Sequence, residues 1–246
     1  MSVLAVEQFD EQMLHLLFDV ASRMKEMVAT KRRSNILSGF ILANVFYEPS
    51  TRTMCSFDAA MKRLGGDVIS VSESTSSAKK GETIEDTVRC LQCYCDVLVL
   101  RHPEKGTAAR AAAAASKPII NAGDGIGEHP TQALLDLFTI ASAHPAAAGM
   151  ALDGLTLTLL GDLKHGRTVH SLALLAARLS RPPRLVLVSP ELLSMPSYVS
   201  EQLEQRKVKV RGIVFERGGG AWLGGEGALT REILRESFCL VVRGDE

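Results

Sequence analysis

Apolar and polar positions along this chain fall into short blocks that alternate between the period of a strand and that of a helix. Residues 7–28 place Phe9, Met13, Leu17, Val20, Met24 and Val28 on or near one face of an amphipathic helix, which the basic turn Lys31-Arg32-Arg33 follows. An apolar, partly β-branched run at 40–46 predicts a strand. After Tyr47-Glu48-Pro49, the positions of Phe57, Ala60, Met61 and Leu64 predict a helix that Gly65-Gly66 ends. The pattern then repeats: strand 67–71, helix 83–94, strand 96–100, an alanine-rich helix at 108–115, strand 117–121, a glycine-rich turn at 122–127, and a helix opening at His129-Pro130 and ending near Ile140.

Residues 141–154 change to Ala, Pro and Gly, which predicts a domain boundary there. A second series follows, with strand 155–160, helix 167–179, strand 185–188, a helix near 197–206 and a strand near 207–215. Two glycine-rich stretches come next, then a short helix near 229–236 and a strand-like run at 238–242. Strands alternating with helices predict an α/β chain of two doubly wound parallel-sheet domains, 1–140 and 141–246.

Composition narrows the partners. Hydrophobic residues make up 46% of the 246, enough for a packed core, and 28 basic residues balance 28 acidic ones. Global charge therefore gives no reason to expect nucleic acid or a membrane surface as partner. Glu7 and Asp10 do not fit a secretory leader, and no apolar run approaches the ~20 residues of a membrane span, so the expected location is cytoplasmic. Of the five cysteines, Cys90, Cys93 and Cys95 cluster while Cys55 and Cys239 stand alone. Without a second cluster no metal site is expected, and buried free thiols are the default reading.

The candidate chemistry lies at strand-to-helix junctions. In Ser50-Thr51-Arg52-Thr53 a hydroxyl can cap a helix whose first backbone N–H groups lack partners, and Arg52 adds a planar fork suited to phosphate oxygens. Four consecutive donors favour an anion site over a plain capped helix with one surface arginine. Arg101 ends the 96–100 strand, and ligands of parallel α/β sheets lie beyond the carboxyl ends of strands, so Arg101 is expected to share that space. The polar loop 72–82, with Ser76, Lys79 and Lys80, reads either as a solvated loop or as a mobile clamp on a phosphate. His129 and Gln132 stand three apart at another junction. Arg167-Thr168 repeats the logic of Arg52-Thr53 and suggests a second anion, a carboxylate.

Side by side, Ser50-Thr51-Arg52-Thr53, Lys79-Lys80-Gly81-Glu82-Thr83, Arg101-His102-Pro103, His129-Pro130-Thr131-Gln132 and Gly161-Asp162-Leu163-Lys164-His165-Gly166-Arg167-Thr168 resemble the successive signatures of the aspartate carbamoyltransferases. The wording is closest to the domain found in the animal multifunctional pyrimidine-synthesis protein. The resemblance runs through residues 1 to about 140 and again through about 155–175. Ornithine carbamoyltransferases share the Ser-Thr-Arg-Thr and His-Pro-x-Gln signatures but not the Lys-Lys-Gly-Glu and Asp-Leu-Lys-His-Gly-Arg-Thr ones, so ornithine is the less expected acceptor. Beyond about 210 the chain diverges. The family's later signatures, an Arg-x-Gln pair and a His-Pro-x-Pro-Arg turn, are not found, so the second domain is expected to be incomplete, with Arg243 the only candidate for the missing arginine.

The resemblance implies transfer of a carbamoyl group from carbamoyl phosphate to L-aspartate, giving N-carbamoyl-L-aspartate and phosphate, as in de novo pyrimidine synthesis. It implies catalytic roles for Thr53, Arg101 and His129. Substrate binding would fall to Ser50, Thr51, Arg52, Ser76, Lys80, Gln132, Arg167 and Thr168. Neither metal nor organic cofactor is implied. Ser76 and Lys80 would serve the neighbouring subunit's site, which makes a homotrimer part of the mechanism. The alternatives are a truncated chain that binds carbamoyl phosphate with weak or no turnover, and an assembly partner in mixed trimers.

Overall fold

The computed structural model describes residues 1–72, 81–143, 152, 155–215 and 238–242. These divide into two compact units. One comprises Met1–Gln8 and Leu16–Thr131, the other Phe9–His15 and Gln132–Glu246.

The first unit is built on a four-stranded, all-parallel sheet of β1 (Ile41–Phe46), β2 (Asp67–Ser72), β3 (Val97–His102) and β4 (Ile119–Asp124), in the order β2-β1-β3-β4. Because strand side chains alternate between faces, β1 feeds two cores. Ala43 and Val45 pack with Ile84, Val88, Leu98, Leu100, Ala111 and Ile119 on one side. Leu42 and Phe46 pack with Met61, Val99 and Ala122 on the other. Both faces of the sheet are covered, which is why the central strands β1 and β3 read as near-continuous apolar runs, whereas edge strand β2 carries Asp67, Ser70 and Ser72.

The helices of this unit are α2 (Thr51–Arg63), α3 (Ile84–Leu91) and α4 (Thr107–Ala114), preceded by α1 (Glu11–Thr30), whose first residues belong to the second unit. The sequence predicted α1 from residue 7. It begins later because Asp10 caps it, its Oδ1 accepting from Met13 N at 2.8 Å, while Val6–Gln8 forms a separate 3-10 turn. Its buried stripe is centred on Leu14 and Phe18, and Val20, expected inside, is 39% exposed. The strand predicted at 117–121 also runs further, to Asp124, taking in the first residues of the expected glycine-rich turn. Val3 N donates to Ile119 O and Asn121 N to Val3 O, both at 2.8 Å, so the N-terminal segment covers the β4 edge.

The second unit repeats the plan. Its sheet is also all parallel, in the order β7-β6-β5-β8, from β5 (Thr156–Gly161), β6 (Arg184–Pro190), β7 (Val210–Phe215) and β8 (Phe238–Val242). Its helices are α5 (Pro130–Ala143), α6 (Arg167–Ala176) and α7 (Ser197–Gln205). Helix α6 is buried almost all round, from Val169 to Ala176. Arg178 Nε donates to Phe9 O at 2.7 Å and Ser180 N to Glu11 Oε2 at 3.1 Å, which ties the start of α1 to this unit. The helix predicted near 229–236, the loop residues Ser76 and Lys80, and Arg243 lie outside the described residues. Among the described residues no helix is long and apolar enough to cross a membrane.

Candidate active site

Strand order places the site. From β1 the chain steps to β2 on one side and then returns to β3 on the other, so the carboxyl ends of β1 and β3 flank the point where the winding reverses. Open α/β sheets bind ligands in the crevice at such a switch point. Phe46 is in register with Arg101, and Tyr47 N donates to Arg101 O at 2.9 Å, which fixes the turn after β1 beside the end of β3.

That turn leads into α2. Ser50 occupies the N-cap in extended geometry, and Met54 N, donating to Ser50 O at 3.0 Å, opens the helical ladder. The backbone N–H groups of Thr51, Arg52 and Thr53 therefore precede the first intrahelical bond. The expected hydroxyl cap is not made: Ser50 Oγ donates to Thr53 Oγ1 at 2.9 Å instead of accepting from a backbone N–H. The exchange keeps the backbone donors for an external acceptor and holds the two hydroxyls side by side. The positive end of the helix dipole adds to their attraction for an anion.

Arg101 is buried, 8% exposed, at the end of β3. Its Nη1 donates to Ala122 O at 3.3 Å and its Nη2 to Glu48 Oε1 in an ion pair. Glu48 was not among the residues singled out from the sequence. The signal for it was a carboxylate one residue before Pro49, at the mouth of an anion-binding turn. The guanidinium is neutralised by this carboxylate.

His129 follows a tightly organised turn after β4. Asp124 Oδ2 accepts from Gly106 N at 2.9 Å and its Oδ1 from Glu128 N at 2.8 Å, while Gly125 N donates to His102 O at 2.8 Å. Glu128 Oε2 accepts from Val6 N at 2.7 Å, and burial raises the Glu128 carboxyl above its ordinary range. Gly125 has a φ of +57, and a Cβ there would stand 2.1 Å from Pro103 O, so only glycine fits. His129 itself is buried, with Nδ1 3.3 Å from Thr131 Oγ1. When that hydroxyl donates to Nδ1, Nε2 carries the proton and is the donor the ring presents.

Tyr47 connects the turn to α3. Its hydroxyl lies 3.3 Å from Thr87 Oγ1, which donates to Glu82 Oε1 at 2.9 Å, and its ring meets His102 edge-on at 5.5 Å. Glu82 thus anchors the chain just after the segment that carries Ser76 and Lys80.

The remaining site residues belong to the second unit. Gln132 Nε2 donates to Asp136 Oδ1 at 2.9 Å, one turn along α5, and burial raises the Asp136 carboxyl against this bond. The turn before Arg167 is shaped by Asp162, whose Oδ1 accepts from Lys164 N at 3.1 Å and His165 N at 3.0 Å, with His165 Nδ1 3.0 Å from Oδ2. Burial works against the Asp162 charge, but the His165 and Lys164 donors outweigh it and hold the carboxyl below its usual range. Beneath the turn, buried His170 donates from Nε2 to Leu163 O at 2.6 Å, so its Nδ1 accepts from Tyr198 OH at 3.1 Å. Burial lowers the pKa of this imidazole below its ordinary value. Arg167 and Thr168 then open α6, both half-buried. The second sheet also reverses its winding, between β5 and β8, and Gly161 is in register with Val242, so this turn lies at a second switch point. Asp162 and His170 were not read from the sequence as site residues. An Asp two and three residues before the backbone donors it captures was the available signal for the first.

Among the described residues no group of three or more His, Cys, Asp or Glu side chains could hold a metal ion. The thiols differ from the default expectation of burial: Cys95 is buried, but Cys55, Cys90 and Cys93 are exposed, because they fall on the outward faces of α2 and of the end of α3.

Residues 1–142 match the model of the aspartate/ornithine carbamoyltransferase carbamoyl-P binding domain. The chain is 49% identical over 207 residues to multifunctional protein pyr1-3 of Dictyostelium discoideum, covering 84% of this chain and 9% of that one. It is 48% identical over 209 residues to the chloroplastic aspartate carbamoyltransferase of Arabidopsis thaliana, covering 84% of this chain and 52% of the relative. The chain thus spans about half the length of the plant enzyme and a small part of the multifunctional protein. Among solved structures it resembles aspartate transcarbamoylase of Trypanosoma cruzi in complex with carbamoyl phosphate and aspartate. The TM-score is 0.78 at 42% identity, over 86% of this chain and 66% of that one. Sheet order, junction residues and these similarities agree: the chain belongs to the aspartate/ornithine carbamoyltransferase family, on its aspartate carbamoyltransferase side.

Proposed function

We propose that this chain binds carbamoyl phosphate at the head of α2 and transfers its carbamoyl group to L-aspartate, a step of pyrimidine synthesis. The observation that carries this reading is the exposed set of donors at the start of α2, set at the switch point beside buried Arg101. Phosphate oxygens accept from the N–H groups and hydroxyls of residues 50–53 and from the guanidinium of Arg52. Arg101 exchanges Glu48 for the ligand. Thr53, Arg101 and His129 donate to the carbonyl oxygen as the carbon becomes tetrahedral, and Gln132 accepts from the carbamoyl NH2.

The aspartate α-carboxylate is held by Arg167 and Thr168, which aligns the amine for attack. The amine forms the new C–N bond as the C–O bond to phosphate breaks, and the departing phosphate takes the amine proton, so no protein base is needed. Ser76 and Lys80 act in the site of a neighbouring copy, which makes the working form a cytoplasmic homotrimer. The relatives named above, aspartate carbamoyltransferases and a carbamoyl phosphate–aspartate complex among them, support the choice of substrates.

Isothermal titration with carbamoyl phosphate, followed by a carbamoyl-aspartate assay at high aspartate, tests the reading. Saturable binding followed by turnover is the expected result. Absence of carbamoyl phosphate binding by a cooperatively folded chain overturns it, and binding without turnover restricts the function to the first substrate.

A further inference from the structure

We propose that Cys90 and Cys93 form a redox-sensitive dithiol that closes to an intramolecular disulfide by exchange with a small disulfide such as oxidised glutathione. The site is independent of the carbamoyl-transfer reading and uses none of its residues. Cys90 lies in the last turn of α3, which ends at Leu91, and Cys93 lies just beyond it, both exposed. The geometry is that of a closed turn: Cys93 N donates to Cys90 O at 3.1 Å. An i→i+3 turn of this kind holds its end Cα atoms within about 7 Å, and a disulfide requires roughly 4.4–6.8 Å.

Position along the helix makes closure feasible. In mid-helix, residues three apart hold their Cβ atoms about 5–6 Å apart, more than the roughly 3.5–4.5 Å of a disulfide, and the next turn resists tightening. Here no further helical turn follows. Gln92 N still bonds Val88 O at 3.0 Å and Tyr94 N bonds Leu91 O at 2.9 Å. Gln92 is anchored through Oε1, which accepts from Ser116 N at 2.6 Å, and beyond Tyr94 the chain is held by buried Cys95 and by Asp96, whose N donates to Ile41 O at 2.8 Å. Cys93 and Tyr94, between these anchors, can therefore adjust while α3 and β3 stay in place. Cys93 Sγ makes only a weak thiol contact, to Arg89 O at 3.6 Å, which is easily given up. The third cysteine of the cluster cannot compete from the surface, because Cys95 is buried at 5% exposure.

The step balances as two exchanges. One cysteine thiolate attacks a sulfur of oxidised glutathione, forming a mixed disulfide and expelling one glutathione thiolate. The second cysteine attacks the protein sulfur of that mixed disulfide, expelling the other glutathione. The protein loses two electrons, and its two thiol protons end on two molecules of reduced glutathione.

Peptide mapping of the folded full chain tests this after incubation with oxidised glutathione, acid quenching, alkylation and chymotryptic cleavage beyond Tyr94, which separates Cys95 from the pair. The expected product is a Cys90–Cys93 peptide two hydrogens lighter than the dithiol, unalkylated and restored by reductant. Cys55, exposed on α2 and far in sequence from the other cysteines, should carry only glutathione. In Cys90→Ser, Cys93 should remain as the glutathione adduct, and Cys95→Ser should leave closure unchanged. Alkylation of both thiols throughout, glutathione adducts on both cysteines of the wild-type chain, or a disulfide that disappears in Cys95→Ser overturns the proposal.

Discussion

Arg101, at the end of β3, is ion-paired through Nη2 with Glu48, just past the end of β1, although 53 residues separate them in sequence. The pair neutralises a buried guanidinium that would otherwise stand at the mouth of the site with its charge uncompensated. Under the proposed function, an anion that binds Arg101 displaces an internal carboxylate. Glu48→Gln is expected to lower the melting temperature of the ligand-free chain while tightening inorganic phosphate binding by about fivefold, about 1 kcal/mol. Titration calorimetry on both forms checks this; unchanged or weaker phosphate binding in the variant rules out competition by Glu48.

His129 is buried, and the turn that precedes it is held together by Asp124, Gly125 and Glu128. His129→Ala should therefore leave the fold intact and remove one donor to the carbonyl oxygen. The expected loss is about 10²–10³ in kcat, with binding of a phosphonate analogue of carbamoyl phosphate changed only a few-fold. Steady-state kinetics beside a thermal melt separate the two contributions.

Gly125 tests the scaffold rather than the chemistry. A methyl group there meets Pro103 O at 2.1 Å, on backbone already at φ +57. Gly125→Ala is expected to cost about 2–3 kcal/mol of stability and to loosen the turn that delivers His129. Urea unfolding at neutral pH measures the cost, and a variant as stable as the parent would show that the turn can shift.

The buried imidazole of His170 links stability to pH. Its native pKa is lowered by burial from 6.5, so the unfolded chain binds the proton more readily than the folded one. The contribution of His170 is then complete above about pH 6.5 and declines as pH falls through its lowered native value. Glu128 and Asp136, whose carboxyls are raised by burial, act in the opposite sense: their contribution is present at acid pH and is lost as pH rises through their native values. His170→Gln, which keeps a donor for Leu163 O, should flatten the acid-side fall in melting temperature. The test is the difference between the two melting-temperature profiles from pH 7.5 to 5, and parallel profiles would exclude His170 as the cause.

The junctions that carry the candidate site were legible because their parts are local. A β-branched run, a proline and four hydroxyl or guanidinium donors identify the β1–α2 junction without any distant contact, and the same holds for His129-Pro130 and Arg167-Thr168. The errors arose where a local reading had to predict a distant partner or a rotation about a helix axis. Val20 fits the apolar spacing of α1, yet Leu14 and Phe18 are the residues turned inward, since packing rather than periodicity chose the stripe. Ser50 has a capping residue's identity, yet its hydroxyl found Thr53.

The amino-acid order alone determined the alternation of strands and helices, the two sheets and the junctions that carry the donors, because hydrophobic period, caps and turn residues act over a few positions. Only the tertiary structure decided which strands lie side by side, and so that β1 and β3 form a switch point with Glu48 against Arg101. It also assigned the start of α1 to the second unit through Arg178 and Glu11. Those relationships depend on burial and hydrogen bonding between residues remote in the chain, and no local pattern of side chains encodes them.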